Sequence, residues 1–309
     1  MTTSDHPTGY SSPQAMWNAV VSRSRNTARE AGSTSNNLAR QFVYDRFLAR
    51  LFTHAADGTW VLKGGTALLA RVRSARHSRD IDLFRNAGTL DTAMDELRDA
   101  AALDLNDYLR FVLGDSKRSQ ERPGQPGSEL ATVKIDGYAG VRKVSDFSVD
   151  VVIGAVITSD PQLLRPEPTI TLPGMESPPY RIYPVADHIA DKLCATIERH
   201  GPAQLPSSRV RDLVDLVVIA RTQQVSAGAL REAITAERLH RGLPEITHWQ
   251  CPSEWVKTYA KEARDVIMCR NHRSFDDASA LAGTFLNPVL SGQVAEDSVW
   301  NPERLDWEG

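Results

Sequence analysis

Apolar positions along the chain recur with two periods, and the switches between them predict the elements. From Ala15 to Ala31, Trp17, Val20 and Val21 fall on one side of a helix and several arginines on the other. A stronger helical stripe, Leu38, Phe42, Phe47, Leu48, Leu51 and Phe52, runs through Asn36 to Ala55. Arg40, Arg46 and Arg50 lie off that stripe and read as a solvated face. The pattern then shortens. Val61 and Leu62 form a brief apolar run, Gly64 and Gly65 interrupt it, Ala67 to Val72 is helical, and Asp80 to Phe84 alternates as a strand does. Leu90 to Ala102 reads as a helix, and Tyr108 to Leu113, Leu130 to Tyr138 and Phe147 to Ile153 as strands. Asp115 to Ser128, rich in Gly, Pro and charge, reads as a mobile hairpin loop.

Thr158 to Pro179 holds six prolines and reads as an extended connector. Tyr180 to Tyr183 suggests one last short strand. After it the period is helical: Val185 to His200, opened by Pro184 and closed by Gly201, then a helix begun at Arg209, then Ala227 to His240, Pro252 to Ala263 and Phe275 to Leu286. Helices, then strands, then helices predict an α/β (α+β) fold, a mixed sheet with an N-terminal helical cover and a helical C-terminal domain. The expected division is a loose tail over 1–13, a core over 14–160, a connector over 161–179 and a mostly helical domain over 180–309.

Composition narrows this little. The 309 residues allow two domains, and 41% hydrophobic with 24% charged residues is ordinary for a globular chain. A net charge of −3 argues against a generally basic surface while allowing a local basic patch. Cys194, Cys251 and Cys269 are widely spaced, so neither a zinc site nor a disulfide framework follows. The N-terminus is polar, and no apolar run approaches the ~18 residues of a membrane span, so a soluble cytoplasmic protein without membrane contact is expected.

The chemistry concentrates between Trp60 and Phe84. Strand alternation puts Asp80 and Asp82 on one face, with Ile81 and Leu83 on the other. Two ionised carboxylates this close repel unless a cation sits between them, and all-oxygen ligands suit Mg²⁺. Gly64, Gly65 and the amide of Thr66 stand where a helix begins, which is a ready anion site. A phosphate cradle beside a metal-binding pair suggests phosphoryl or nucleotidyl transfer. Lys63 reads as a strand-end lysine or a phosphate ligand. Arg71, Arg73, Arg76 and Arg79 make a basic run that is either a solvated loop or a contact for phosphate or RNA. Ser78 is a turn residue or points at the same site. Asp150 is the one acid in a β-branched apolar strand, where an acid needs a partner.

Gly64-Gly65-Thr66 followed by Ser78-Arg79-Asp80-Ile81-Asp82 resembles the nucleotidyltransferase signature of the DNA polymerase β superfamily. With Leu62, Lys63 and Leu83 it resembles the AbiEii/AbiGii toxin family, including the MenT-type toxins. Asp191-Lys192-Leu193-Cys194-Ala195 is similar to that family's "KLxA" element, and Arg209 to Leu216 to its "RxxDLxDL" element. The resemblance implies an NTP substrate, with Asp80 and Asp82 holding Mg²⁺ or Mn²⁺ and Asp150 as the third acid, which activates the attacking hydroxyl. It places Lys192 at the nucleotide phosphates, with Arg209 and either Asp212 or Asp215 beside it, and it makes Ser78 a candidate for phosphoryl modification. It further implies a tRNA 3′ end or other RNA as acceptor and a cognate antitoxin as partner.

Overall fold

A computed structural model describes residues 8–30, 33–55, 57–119 and 128–309. Helices α1 (Pro13–Glu30) and α2 (Ser35–His54) come first, and the Thr34 hydroxyl caps α2 by accepting from the Asn37 amide. Then follow β1 (Trp60–Lys63), α3 (Gly64–Arg71), β2 (Asp80–Arg85), α4 (Leu90–Ala102), β3 (Leu109–Ser119), β4 (Glu129–Ala139), β5 (Arg142–Ile153), β6 (Gln162–Leu164) and β7 (Tyr180–Ile182). These strands form one mixed sheet in the order β3-β4-β5-β2-β1-β7-β6. Strands β2 and β5 run parallel, as do β1 and β7, and the other neighbours are antiparallel. The sheet therefore takes two strands from beyond residue 160, and β6 sits at its edge within the proline-rich stretch.

The second half is helical: α5 (Val185–Ile197), a small hairpin of β8 (Arg199–His200) and β9 (Leu205–Pro206), α6 (Val210–Ala220), α7 (Ala227–His240), α8 (Val256–Ala263), α9 (Phe275–Leu290) and a last hairpin of β10 (Val299–Asn301) and β11 (Asp306–Glu308). Helix α5 stops three residues before His200 because Arg199 and His200 pair with Leu205 and Pro206. The C-terminal aromatics dock on the body: Trp300 donates to the Ala220 carbonyl at 2.6 Å and Trp307 to the Phe285 carbonyl at 3.0 Å.

Two apolar cores result. One lies between the sheet and helices α1, α2 and α4, and holds Trp17, Phe42, Phe47, Phe111 and Phe147. The other lies among α5 to α9 and holds Leu193, Leu216, Phe285 and Trp300. Helix α3 joins them, because Ala67 belongs to the first while Leu68 and Leu69 belong to the second. The glycine turn that starts α3 thus lies at the seam of the molecule.

Three further expectations change. Arg46 and Arg50 are not a solvated face: both are buried, pairing with Asp107 at 2.7 and 2.6 Å. Asp107 reaches them from a turn whose neighbours Asn106 and Tyr108 both have positive φ. The expected loop over Asp115 to Ser128 is shorter, since β3 continues to Ser119; residues 120–127 of it lie outside the described residues. Residues 1–7 of the expected tail also lie outside them, while Thr8 is buried. No helix among the described residues is long and apolar enough to cross a membrane.

Candidate active site

The sheet builds one wall of the site. In the parallel register of β2 with β5, Asp80 pairs with Ser148 and Asp82 with Asp150. Ile81 and Leu83 are fully buried, so the alternation of β2 turns Asp80 and Asp82 together to the other face. Register partners share a face, and Asp150 therefore joins them. Thr132, opposite Asp150 on β4, donates to Asp150 Oδ1 at 2.6 Å. The Ser78 hydroxyl donates to Asp80 Oδ1 at 2.9 Å. The Thr66 hydroxyl instead donates to the Asp80 main-chain carbonyl at 2.9 Å, tying the start of α3 to β2.

Lys63 faces Asp82 across the β1–β2 ladder, and its ammonium lies 4.7 Å from the centre of the Tyr183 ring. Gly64 follows with φ +64°, and a Cβ there would lie 1.9 Å from Asp82 Oδ2. No L-residue fits that position without displacing the carboxylate. At Gly65 a Cβ would meet Ser78 Oγ at 3.2 Å and Arg76 Nη1 at 3.3 Å. The two glycines let backbone, carboxylate and guanidinium converge on one spot.

Helices α5 and α6 build the other wall, joined to the basic loop by a run of ion pairs. Lys192 donates to Asp215 at 2.6 Å and to Asp212 at 3.2 Å. Arg209, at the start of α6, donates to Asp212 at 2.6 Å. Arg76 grips Asp215 with two bonds, Nε at 2.8 Å and Nη2 at 2.7 Å. Burial alone would raise the Asp215 carboxyl, but Lys192 and Arg76 hold it down to about 2. Burial likewise works against the charge on Lys192, and Asp215 and Asp212 outweigh it, keeping the ammonium protonated. Three cations on two carboxylates leave one positive charge over.

Between the walls is a cleft of about 450 Å³. Of the sequence candidates, Asp80, Asp82, Asp150 and Ser78 line it with Lys63, Gly64 and Gly65, and Lys192, Asp212 and Arg209 line it from across. Three candidates stand outside. Thr66 is turned under β2, Asp215 is fully buried behind Lys192, and Arg79 is exposed in a neighbouring groove. Arg76, read only as one of four arginines in the basic run, lines the cleft, and so does Asp191, quoted in a family element without a role of its own. Within the basic run nothing in the spacing separates Arg76 from its three fellow arginines; its partner is 139 positions away.

Among the described residues, no three His, Cys, Asp or Glu side chains already form a metal cage. The carboxylates of Asp80, Asp82 and Asp150 are a hard all-oxygen set on adjacent strands. That suits an ion bound by one or two carboxylates and completed by substrate phosphates and water.

A mixed sheet carrying paired acids beside a glycine-started helix, with cations facing them, defines the class: an enzyme that transfers nucleotidyl groups. Comparison makes the class specific. Residues 46–282 match the profile described as nucleotidyl transferase AbiEii toxin, type IV TA system, and the chain belongs to that family of nucleotidyltransferase toxins. Membership implies an NTP substrate and an antitoxin partner. Among solved structures it is similar to MenT4, a nucleotidyltransferase toxin of Mycobacterium tuberculosis H37Rv, at 16% identity over 89% of this chain and 91% of that one, with a TM-score of 0.54. That likeness is one of fold. JHP933 from Helicobacter pylori matches at 16% identity over 81% of this chain and 90% of that one, with a TM-score of 0.43. No curated protein matches the chain.

Proposed function

We propose that this toxin transfers a nucleoside monophosphate from an NTP to the terminal hydroxyl of an RNA, the 3′ end of tRNA, and that a co-encoded antitoxin restrains it. The acceptor oxygen bonds to the α-phosphorus, the bond from that phosphorus to the β-bridging oxygen breaks, and pyrophosphate leaves. Asp150, aligned by Thr132, takes the proton of the attacking hydroxyl. Asp80 and Asp82, with Asp150, would hold Mg²⁺, which when bound neutralises charge on the reacting phosphoryl group. Ser78 fixes the Asp80 carboxylate. The amides after Gly64 and Gly65, with Lys192 and Arg209, receive the β- and γ-phosphates.

Arg76 joins them in this reading. One edge of its guanidinium, Nε and Nη2, is fixed by Asp215, and Nη1 is left over the glycine turn without a hydrogen bond among the described residues. Asp212 is then the cleft-facing partner of Lys192, and Asp215 holds Lys192 and Arg76 in place. One observation carries the reading: the Asp82–Asp150 register sets two acids beside a glycine turn that packs so closely on Asp82 that a Cβ at Gly64 would strike its carboxylate.

Incubation with each labelled NTP, Mg²⁺ and total RNA tests it. Label in a tRNA-sized band is expected. Label on protein alone supports an AMP-transferring enzyme, and no label with no NTP binding supports a fold used only for binding. Asp80→Ala should lower transfer by roughly 10²–10³-fold or more while melting unchanged or higher, because one of two repelling carboxylates is gone.

A further inference from the structure

A second and larger concavity, about 930 Å³, adjoins the cleft between α2, the basic loop after α3, and α8. Arg76, Arg211 and Glu262 line both spaces, so the two are immediate neighbours. Resting on the reading that the acceptor is RNA, we propose that this groove holds one phosphate strand of a base-paired RNA stem whose 3′ end enters the cleft.

Charge is the first argument. Arg40, Arg73, Arg76, Arg79, Arg211 and Lys261 line the groove against the acids Glu262 and Asp265, in a chain whose net charge is −3. Three of these cations already have carboxylate partners, Arg73 with Glu167, Arg76 with Asp215 and Arg211 with Glu262, so the groove's free charge rests on Arg40, Arg79 and Lys261. Arg79 and Lys261 are exposed and make no ion pair among the described residues, and Arg40 donates only to the Asn37 side-chain oxygen. Burial, with Arg40 beside it, pushes His77 down to about 4, so the imidazole is neutral at pH 7 and the groove's charge comes from groups that stay protonated. A polyanion approaching the cleft meets the carboxylates of Asp80, Asp82 and Asp150; cations within about one Debye length, ~8 Å at physiological salt, are what offset that repulsion.

The lining says which part of the polyanion is gripped. Proteins that hold single strands stack their bases on aromatic rings. Among the described residues no Phe, Tyr or Trp lines the groove. Its neutral polar groups include the hydroxyls of Thr27, Ser33, Thr34, Ser74 and Thr169 and the amide of Asn37, which match phosphate oxygens and ribose hydroxyls, with Ser33 bonded to the His77 ring. Contact through phosphates and 2′-hydroxyls is the mode by which paired A-form RNA is held. Recognition should therefore be salt-sensitive and indifferent to base sequence.

The test compares the full-length wild type with Arg40→Ala/Lys261→Ala, one residue from α2 and one from α8. Anisotropy is read with a hairpin RNA bearing a short 3′ overhang and with an unstructured RNA of equal length. Wild type should bind the hairpin more tightly. The variant should lose about tenfold in hairpin affinity, with the log–log salt slope shallower by about 2, the value for two lost phosphate contacts. NTP affinity and melting temperature should not move. An unchanged slope in the variant, or a wild type that prefers the unstructured strand, overturns the assignment. If wild type still labels RNA in that event, only the groove is wrong; if label lands on protein alone, the RNA reading fails with it.

Discussion

Two networks of buried charge lie in this molecule, and they differ in what they face. Around Asp107, two arginines meet one carboxylate inside the first core, and Arg46 Nη1 and the three nitrogens of the Arg50 guanidinium donate to the carbonyls of Glu176, Leu103, Arg46 and Leu109. Arg50 also lies over the Phe111 ring at 4.9 Å. That network lies inside the fold, and its work is to hold α2 to the loop before β3. Around Lys192, two carboxylates meet three cations, and the outer cations Arg76 and Arg209 open into the cleft. A network turned to carbonyls of the interior belongs to the scaffold. One that keeps spare donors facing a cleft is prepared for an anion.

The comparison can be broken at either network. Asp107→Ala strands two buried guanidinium groups and should cost about 3–5 kcal/mol, read as a large fall in denaturant midpoint, with transfer lost along with the fold. Lys192→Met should do the reverse. Asp215 keeps Arg76 and Asp212 keeps Arg209, so the stability loss should be no more than about 1–2 kcal/mol, while kcat/KM falls roughly 10²–10³-fold. Equal losses of stability in the two variants would erase the distinction.

Gly64→Ala sharpens it from the sheet side. The new Cβ at positive φ costs about 1–2 kcal/mol and displaces the Asp82 carboxylate, so activity should fall well beyond what the change in melting explains. The smallest effect is with pH. Because the folded-state pKa of Asp215 is depressed to about 2, its stabilisation is fully present above the ordinary aspartate value of about 4 and is lost as pH falls through that window. Melting temperature followed from pH 5 downward should drop less steeply in Asp215→Asn than in wild type.

The sheet wall was legible in the sequence because its rules are local. Alternation fixed the shared face of Asp80 and Asp82, and the glycine pair marked the start of α3. Asp150 stood out as an acid among β-branched residues, which is how a strand beside an active site reads. The helix wall was legible only where a family element spanned it. Arg76, Arg46 and Arg50 were not, for one reason: a side chain leaving a helix edge or loop is buried or exposed according to a partner far along the chain. Asp215 is 139 positions from Arg76, and Asp107 is 57 from Arg50. Spacing within a short window carries no trace of either. The end of α5 was misjudged likewise, because the β8–β9 hairpin drew Arg199 and His200 out of the helix.

The central claim is that the acids of β2 and β5 act together on a bound triphosphate. Transfer of label from an NTP to RNA by Asp82→Asn, compared with wild type at matched protein and Mg²⁺, tests it most directly. The account predicts loss of transfer in a protein that still binds RNA and melts no lower than wild type; wild-type transfer by that variant would contradict it.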